Sequence, residues 1–346
     1  MKTNFLIVGQ GLAGTLLTHE LLKSGKSVQV IDSSTFQKAS VVAAGLINPV
    51  VFRRLTKSWL VDELFPQLEE TYRELELLLG REIFHPLKIR KVFGLGEADF
   101  WKKKAVANGL SSYLNAEPDF SHYGQLRMEY GSGWVEKAGR VDLKSLLDGF
   151  REYLIENNRL RTMDFEYDRL LVHQDRISYG EQEADRIIFC EGHRASQNPY
   201  FQQIQFKHTK GEVFGLETTD YNADFILNKS FFMMPTGGRQ FRMGATYDWN
   251  NLNEQPTPEA RRELCAKLEQ VFTGDYKISR HQAGIRPTTH DRRPVMGMSA
   301  EHPRIGIFNG LGSKGCMLGP YFARQFVARL NNPASPIHPE VDLRRY

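Results

Sequence analysis

The sequence predicts a mixed α/β (α+β) fold, in which a Rossmann-like dinucleotide-binding domain carries an inserted substrate domain built on an antiparallel sheet. Three observations lead to this prediction. The chain begins with an apolar run, a glycine-rich motif and a helical pattern, and a second strand, glycine-rich loop and helix occur near its end. Between them, residues 206–247 contain several strand-like runs, two of which flank the turn-forming residues 236–239.

The first glycine-rich motif has the surroundings that a dinucleotide site requires. Residues 5–8 are apolar, residues 9–14 have the pattern G-x-G-x-x-G, and apolar residues then recur at helical spacing to residue 24. Residues 27–31 predict a second strand, and Asp32 follows, 18 residues after the last motif glycine. Strand, motif, helix and acidic residue in this order make the motif specific. We therefore predict cofactor contacts at Gly9, Gln10, Gly11, Leu12, Ala13, Gly14 and Asp32.

Each part of this motif has a physical purpose. Gly9 permits a tight turn, Gly11 lets the backbone approach a pyrophosphate, and Gly14 lets the helix pack close to the sheet. The helix N-terminus offers unpaired N–H groups and a partial positive charge. The Asp32 carboxylate can accept hydrogen bonds from ribose hydroxyls and would repel a 2′-phosphate. A tight turn that binds nothing is the alternative, and the motif alone does not separate FAD from NAD.

Composition places the chain among soluble, two-domain proteins. It has 346 residues, 25% of them charged, and a formal net charge of +4, which is too small to indicate nucleic-acid binding by itself. The three cysteines form no C-x-x-C pair, and their odd number gives no disulfide framework. No leader sequence and no apolar run of the roughly 18 residues that span a bilayer are visible. We therefore expect a cytoplasmic protein with no membrane span, and we predict no metal site.

Two further segments are expected to approach the cofactor. Residues 39–49 are small and apolar, which suits a segment passing close to a planar ligand, although a buried loop explains the pattern equally well. Residues 184–192 predict a buried strand that returns to the first sheet and ends in glycine, with Cys190 as a core residue. The predicted contacts in these segments are Ser40, Gly45, Asn48 and Gly192.

The second glycine-rich loop favours FAD over NAD. It lies between an apolar strand at residues 305–308 and a helix predicted from residue 316 to 330. Its N–H groups and the helix dipole would stabilise the negative charge that develops at the pyrimidine end of a reduced flavin. One extended FAD molecule could use both helix starts, whereas an NAD dehydrogenase has no need of the second. The predicted contacts are Gly310, Gly312, Ser313, Lys314 and Gly315.

These motifs together resemble the D-amino-acid oxidase superfamily of FAD-dependent oxidoreductases across essentially the whole chain. Its members include glycine oxidase, sarcosine oxidase and the oxidase domain of the tRNA-modifying protein MnmC. The final loop is most similar to the tRNA-modifying branch, and Gly244-Ala245-Thr246 is similar to glycine oxidase. The motifs that carry the resemblance are the glycine motif at residues 9–14, the segment ending at residues 44–49, Gly139-Arg140-Val141-Asp142, Gly284-Ile285-Arg286-Pro287 with Asp291 and Pro294, and residues 310–315.

The resemblance implies a reaction and two residues that carry it. An uncharged amine, usually on an amino acid or N-substituted glycine, gives a hydride to flavin N5, and the imine then hydrolyses. Arg286 matches the arginine that binds the substrate carboxylate, and its planar fork suits that role. Tyr247 matches a position that lines the substrate site. The alternatives are a structural salt bridge from Arg286, for example to Asp291, and a core position for Tyr247.

Other features bear on the cofactor and the electron acceptor. Members with covalent flavin carry a cysteine near the position of Gly284, and this chain has none there, so FAD is expected to be noncovalent. Arg242 stands where sarcosine oxidases carry a lysine near N5, which leaves the acceptor open between oxygen and another oxidant. Glu191 replaces a residue that is usually small or Thr, and His290 is expected to be a loop histidine.

Two other functions stay open at this point. A tRNA-modifying enzyme acting on a carboxymethylaminomethyl group would need the same chemistry, with basic residues near 88–91 and 102–104 on phosphates, although a solvated face explains those residues better. A flavin protein without amine turnover is the other possibility. The predicted FAD-binding domain comprises residues 1–84, 138–200 and 284–346, and the predicted substrate domain comprises residues 85–137 and 201–283.

Overall fold

The computed structural model describes residues 2–346 as two large sheets with helices packed against them. No helix within residues 2–346 combines the length and apolar character needed to cross a membrane. The helices are α1 Leu12–Lys23, α2 Ala39–Val42, α3 Val61–Leu79, α4 Glu97–Ala107, α5 Leu143–Glu156, α6 Pro258–Glu269 and α7 Gly315–Asn331. The strands are β1 Lys2–Val8, β2 Val28–Asp32, β3 Leu46–Ile47, β4 Val50–Val51, β5 Thr56–Lys57, β6 Phe84–Val92, β7 Ser132–Val141, β8 Leu160–Thr162, β9 Leu170–Val172, β10 Ile177–Tyr179, β11 Gln182–Phe189, β12 Thr209–Glu217, β13 Ile226–Asn228, β14 Phe232–Gly237, β15 Gln240–Gly244, β16 Lys277–Arg286, β17 Val295–Met298 and β18 Ile305–Asn309.

The first sheet is the Rossmann-like one. Its strand order is β17-β18-β11-β1-β2-β8, with β10 beside β11 and β9 beside β10. Strands β18, β11, β1, β2 and β8 run parallel, and β17 is antiparallel to β18. Successive residues of β1 enter different cores, with Phe5 and Ile7 on one face and Leu6 and Val8 on the other. Both faces are therefore covered, as a parallel sheet requires.

The second sheet is largely antiparallel and has the strand order β16-β12-β15-β14-β13-β6-β7-β3. The pair β13–β6 is parallel, which the sequence did not indicate. Helix α6 covers one face through Leu264 and Leu268. The mixed fold predicted from the sequence is confirmed. Residues 46–47 and 138–141, assigned to the FAD-binding part, pair within this second sheet, and the proposed domain division stays a prediction.

Several element boundaries differ from the sequence prediction, for local reasons. Helix α3 begins at Val61 because Leu60 adopts a left-handed conformation, and Pro66 lies inside the helix. Helix α5 begins at Leu143, because the Asp142 carboxylate accepts the backbone N–H of Ser145 at 3.0 Å. Strand β16 pairs with β12 along its length and ends at Arg286.

Candidate active site

A cavity of about 580 Å³ lies between the two sheets. Its walls come from the ends of β1, β2 and β11 in the first sheet and from β12, β15 and β16 in the second. The N-termini of α1 and α7 both reach it. The chain therefore brings its first and last glycine-rich loops to one enclosed space, as the FAD hypothesis requires.

The first glycine-rich loop is packed so tightly that only Gly11 leaves room for a ligand. Gly9 has φ of 99°, and a Cβ there would lie 2.6 Å from the Cys190 carbonyl oxygen. A Cβ on Gly14 would lie 1.8 Å from the Gly9 carbonyl oxygen. Gly11, by contrast, has its nearest neighbour at 3.6 Å, the Ser40 hydroxyl, and lines the cavity. The backbone at Gly11 is thus open to a pyrophosphate.

Asp32 lies at the cavity wall, but cations already hold its carboxylate. Oδ2 is 2.7 Å from Lys38 Nζ and 2.6 Å from Arg151 NH1, and Oδ1 accepts the Gln10 N–H at 2.8 Å. Arg151 lies on α5, 119 residues away in sequence. These two cations offset the negative charge, so repulsion of a 2′-phosphate does not follow from Asp32. The carboxylate retains capacity to accept a hydroxyl hydrogen bond.

The second loop places a partly buried lysine at the start of α7. Gly310 and Gly312 have φ of 75° and 56°, and the Gly312 N–H donates to the Pro287 carbonyl oxygen at 3.0 Å. The Lys314 ammonium group donates to the Ser58 hydroxyl. Burial lowers the pKa of Lys314 to about 8. Among residues 2–346, Lys314 forms no ion pair. The Lys314 ammonium group and the N-terminus of α7 could therefore both bind an anion at this end of the cavity.

Arg286 is a second partly buried cation without a counter-ion among the described residues. Its guanidinium donates to the carbonyl oxygens of Lys210 and Thr246, each at 3.2 Å, and lines the cavity. Burial lowers the pKa of Arg286, although a guanidinium stays protonated. The alternative of a salt bridge to Asp291 is wrong: that carboxylate pairs with Arg345 and accepts from Thr289. Within residues 2–346, Arg286 therefore faces the cavity with its charge unneutralised by any carboxylate.

Two neighbours shape the space around Arg286. The guanidinium carbon lies 4.4 Å from the centre of the Tyr247 ring, which also lines the cavity. Tyr247 is 56% exposed, so the alternative that it is a core aromatic is wrong. On β12, a Cβ added to Gly211 would lie 2.0 Å from Arg286 NH2. Gly211 therefore provides the room in which the guanidinium lies.

Arg242 has a structural position beside the cavity. Its NH2 donates to the Val41 carbonyl oxygen at 3.3 Å and to the Gln282 side chain at 3.2 Å. Burial lowers the pKa of Arg242. These contacts tie β15 and β16 to α2, whose Ser40 and Val42 line the cavity. Arg242 itself does not line the cavity among the described residues.

Glu191, for which the sequence suggested no role, is a buried acid with two donors. Its Oε1 accepts the Tyr167 hydroxyl at 2.6 Å and its Oε2 accepts the Asn198 amide at 2.8 Å. Burial raises the pKa of Glu191. His193 also lines the cavity, and its pKa is lowered to about 4 by burial and by nearby His208. The His193 ring therefore adds no positive charge to this wall at neutral pH.

The structure brings most of the residues predicted as site residues to the cavity. Three of them do not line it: Gln10 is buried against Thr15 and Leu147, while Gly14 and Gly310 shape the two loops. The residues that line it are Gly9, Gly11, Leu12, Ala13, Asp32, Ser40, Gly45, Asn48, Gly192, Tyr247, Arg286, Gly312, Ser313, Lys314 and Gly315. Sequence reasoning missed several other lining residues that lie far apart in the chain, namely Phe36, Lys38, Met163, Phe165, Tyr167, His193, Arg194 and Gly211.

The basic residues considered for phosphate binding are largely occupied. Arg90 is 2% exposed, and its guanidinium lies over the Trp134 ring with Asp119 at 3.2 Å. Lys91 is buried and donates to the Val92 carbonyl oxygen. Lys88 and Lys102 pair with Glu136 and Glu117. The expectation of one solvated basic face at residues 88–91 is wrong for Arg90 and Lys91, which are structural.

The donor set suits FAD. One wall offers the open backbone of Gly11 and the Asp32 carboxylate, which fit a pyrophosphate and a ribose. The other offers the N-terminus of α7 and the unneutralised Lys314 ammonium group, which fit the pyrimidine end of a flavin that gains negative charge on reduction. Two cavity cysteines, Cys190 and Cys316, are thiols rather than thiolates, since burial raises both pKa values, that of Cys316 to about 12.

Comparisons with known proteins agree with this donor set. A family model described as FAD dependent oxidoreductase (DAO) matches residues 4–329. The glycine oxidase of Bacillus licheniformis is 23% identical over 346 residues, covering 91% of this chain and 89% of that protein. A tRNA 5-methylaminomethyl-2-thiouridine biosynthesis bifunctional protein MnmC from Marinobacter nauticus is 26% identical over 222 residues, covering 58% of this chain but 33% of that longer protein. Iminodiacetate oxidase from Chelativorans sp. BNC1 shares the fold with a TM-score of 0.80 at 18% identity, covering 97% of this chain and 98% of that one.

Proposed function

The chain belongs to the family of FAD-dependent oxidoreductases, and on that premise we propose that it oxidises the C–N bond of an amino acid or N-substituted glycine. The single observation that carries this proposal is Arg286. Arg286 is partly buried and lines the cavity, and among the described residues its guanidinium donates hydrogen bonds only to carbonyl oxygens. Burying a charge without a counter-ion is costly. A substrate carboxylate would supply the missing charge, so the site selects an anion that carries the reacting amine.

The roles of the chain's own residues follow from their positions. Arg286 binds and orients the carboxylate, and Gly211 keeps the space for it open. The face of Tyr247 lies against the guanidinium and borders the substrate. Lys314 and the N-terminus of α7 stabilise negative charge at the cofactor end of the cavity. When bound, FAD supplies the acceptor for a hydride from the amine carbon, and the imine product hydrolyses.

A tRNA-modifying activity is a second candidate, favoured by the similarity to MnmC proteins. A carboxymethylaminomethyl group is itself an N-substituted glycine, so Arg286 would hold it in the same way. The contacts of Arg90, Lys91, Lys88 and Lys102 leave fewer free cations for phosphates than the sequence suggested. Binding of tRNA that is absent even at low salt would exclude this candidate.

Substitution of Arg286 tests the proposal. Each charge-assisted bond that is lost should cost roughly 1.5–3 kcal/mol, so we expect Arg286→Ala to lower kcat/KM for a carboxylated amine by at least about tenfold. Arg286→Lys should recover part of the loss, since it restores the charge without the planar fork. An amine that lacks the carboxylate should respond weakly to either change.

A matched control is available on the same strand. Arg280 is exposed on β16, six residues before Arg286, and does not line the cavity. Arg280→Ala should leave kcat/KM within about twofold of the wild-type value. If Arg286→Ala behaves like Arg280→Ala toward carboxylated amines, Arg286 does not bind the substrate. If no amine reduces the flavin of the wild-type protein, the assignment as an amine oxidoreductase is wrong.

A further inference from the structure

An exposed aromatic residue that lines the cavity, Tyr247, is extended away from the cavity by a second exposed ring, that of Trp249. Tyr247 is 56% exposed and Trp249 is 50% exposed, and both follow β15. Their ring centres are 6.1 Å apart, with 24° between the planes. The Tyr247 ring also contacts Arg286, whose guanidinium carbon is 4.4 Å from the ring centre. Large apolar rings are seldom exposed in pairs next to a cavity unless they bind something.

The loop that carries these rings is firmly anchored. The backbone of Asp248 exchanges two hydrogen bonds with Lys210, at 2.8 and 3.0 Å. The Lys210 ammonium group is fully buried and donates to Asn253 Oδ1 at 2.9 Å. The buried Glu212 carboxylate accepts the Thr257 N–H at 2.9 Å. Because both ends of the loop are fixed from β12, the rings are ordered before any ligand arrives, which lowers the entropy cost of binding.

We propose that Tyr247 and Trp249 form a stacking platform for a planar group on the substrate's amine nitrogen. The substrate class is then an N-substituted glycine whose N-substituent carries a flat ring. This inference rests on the proposed function, since Arg286 holds the carboxylate of the same molecule. Only two bonds separate a carboxyl carbon from the amine nitrogen of a glycine unit. The substituent therefore leaves the Arg286 site directly beside Tyr247 and extends toward Trp249.

The chemistry of the platform favours a flat ring over a saturated one. Aromatic faces attract other π-systems in offset-stacked or edge-to-face geometries, in addition to the area that they bury. Tyr and Trp also supply large, rigid contact areas that lose little rotamer freedom on binding. An amino acid without an N-substituent would occupy the Arg286 site and leave both rings exposed to water.

The experiment compares two ligands on the FAD-loaded enzyme. N-benzylglycine and N-(cyclohexylmethyl)glycine have the same carboxylate, amine and linker, and they differ in the planarity of the ring. We expect the wild-type protein to bind N-benzylglycine about three- to tenfold more tightly, measured as Kd from calorimetry or from the change in the flavin spectrum without oxygen. In Trp249→Ala this preference should fall to about one.

Two control variants separate stacking from loop damage. Trp249→Phe keeps a flat ring and should retain most of the preference. Leu252→Ala removes another exposed apolar side chain from the same loop, one that has no aromatic ring, and should leave the preference at its wild-type value. Thermal melting of each variant shows that it is folded.

Each outcome decides the proposal. Equal Kd values for the two ligands in the wild-type protein, or a preference that survives in Trp249→Ala, would overturn it. A wild-type dimer that dissociates on substitution of Trp249, seen by light scattering, would also overturn it, because the rings would then belong to a contact between two copies. Failure of the proposed function gives a different result: the ligands bind with the expected preference, but neither reduces the flavin.

Discussion

Lys314 allows a quantitative test of how the cavity is built, because it is partly buried there and no carboxylate of residues 2–346 pairs with its ammonium group. Lys314→Met keeps the length of the side chain and removes its charge. Burial lowers the pKa of Lys314 from 10.5 to about 8. At 1.36 kcal/mol per pH unit, this lowering means that protonated Lys314 costs the cofactor-free protein about 3 kcal/mol of folding free energy at pH 7.

The sign of the pH dependence follows from proton binding. Between pH 8 and 10.5 the unfolded chain holds a proton on Lys314 that the folded chain has lost, so folding stability rises with pH in this window. Lys314→Met should therefore stabilise the cofactor-free protein by about 3 kcal/mol at pH 7 and by about 1 kcal/mol at pH 9.5. Urea unfolding at the two pH values measures both quantities.

The control for this prediction is the neighbouring lysine of β5. Lys57 is 38% exposed and pairs with Asp62, so Lys57→Met should change the unfolding free energy by less than about 1 kcal/mol. FAD binding should respond to Lys314→Met in the opposite direction, with a Kd about tenfold weaker or more, since a charge-assisted contact is lost. A stability difference that is absent at pH 7, or equal at both pH values, would refute the reasoning.

Two further predictions concern the space around Arg286 and the attachment of the cofactor. Gly211→Ala should raise KM for carboxylated substrates about tenfold or more, because its Cβ would lie 2.0 Å from the Arg286 guanidinium. The control is Gly215→Ala on the same strand. Its Cβ would have its nearest neighbour at 3.1 Å, so this variant should change KM far less. Acid precipitation should release all of the FAD into the supernatant, because Cys190 and Cys316 are held as thiols and cannot act as nucleophiles. Yellow colour retained in the washed precipitate would contradict noncovalent binding.

The parts of the site that could be predicted from sequence are those coded locally. Gly9, Gly11 and Gly14 act within one strand–loop–helix unit, so their spacing together with the flanking strand and helix patterns identified the loop. The start of α5 was predictable for the same reason, since Asp142 caps its own helix. Arg286 and Tyr247 were selected through the family resemblance, and the structure places both on one cavity.

The parts that could not be predicted depend on contacts between distant segments. Asp32 meets Arg151 because α5 packs against β8, the strand that pairs with β2, and no local pattern in either segment indicates that pairing. Gly211 makes room for Arg286 across two paired strands. The burial of Arg90 could not be predicted, because alternation along β6 indicates only which face of the sheet a side chain is on. It does not indicate that aromatic residues such as Trp134 and Phe225 cover that face.

The most direct test of the central claim is a titration of the FAD-loaded protein without oxygen. The absorbance of the oxidised flavin is followed while N-substituted glycines, and the same amines without the carboxylate, are added. We expect a carboxylated amine to bleach the flavin of the wild-type protein and its counterpart without a carboxylate to do so poorly. Arg286→Ala should remove this difference. Bleaching that is equal for both kinds of amine in the wild-type protein would contradict this prediction.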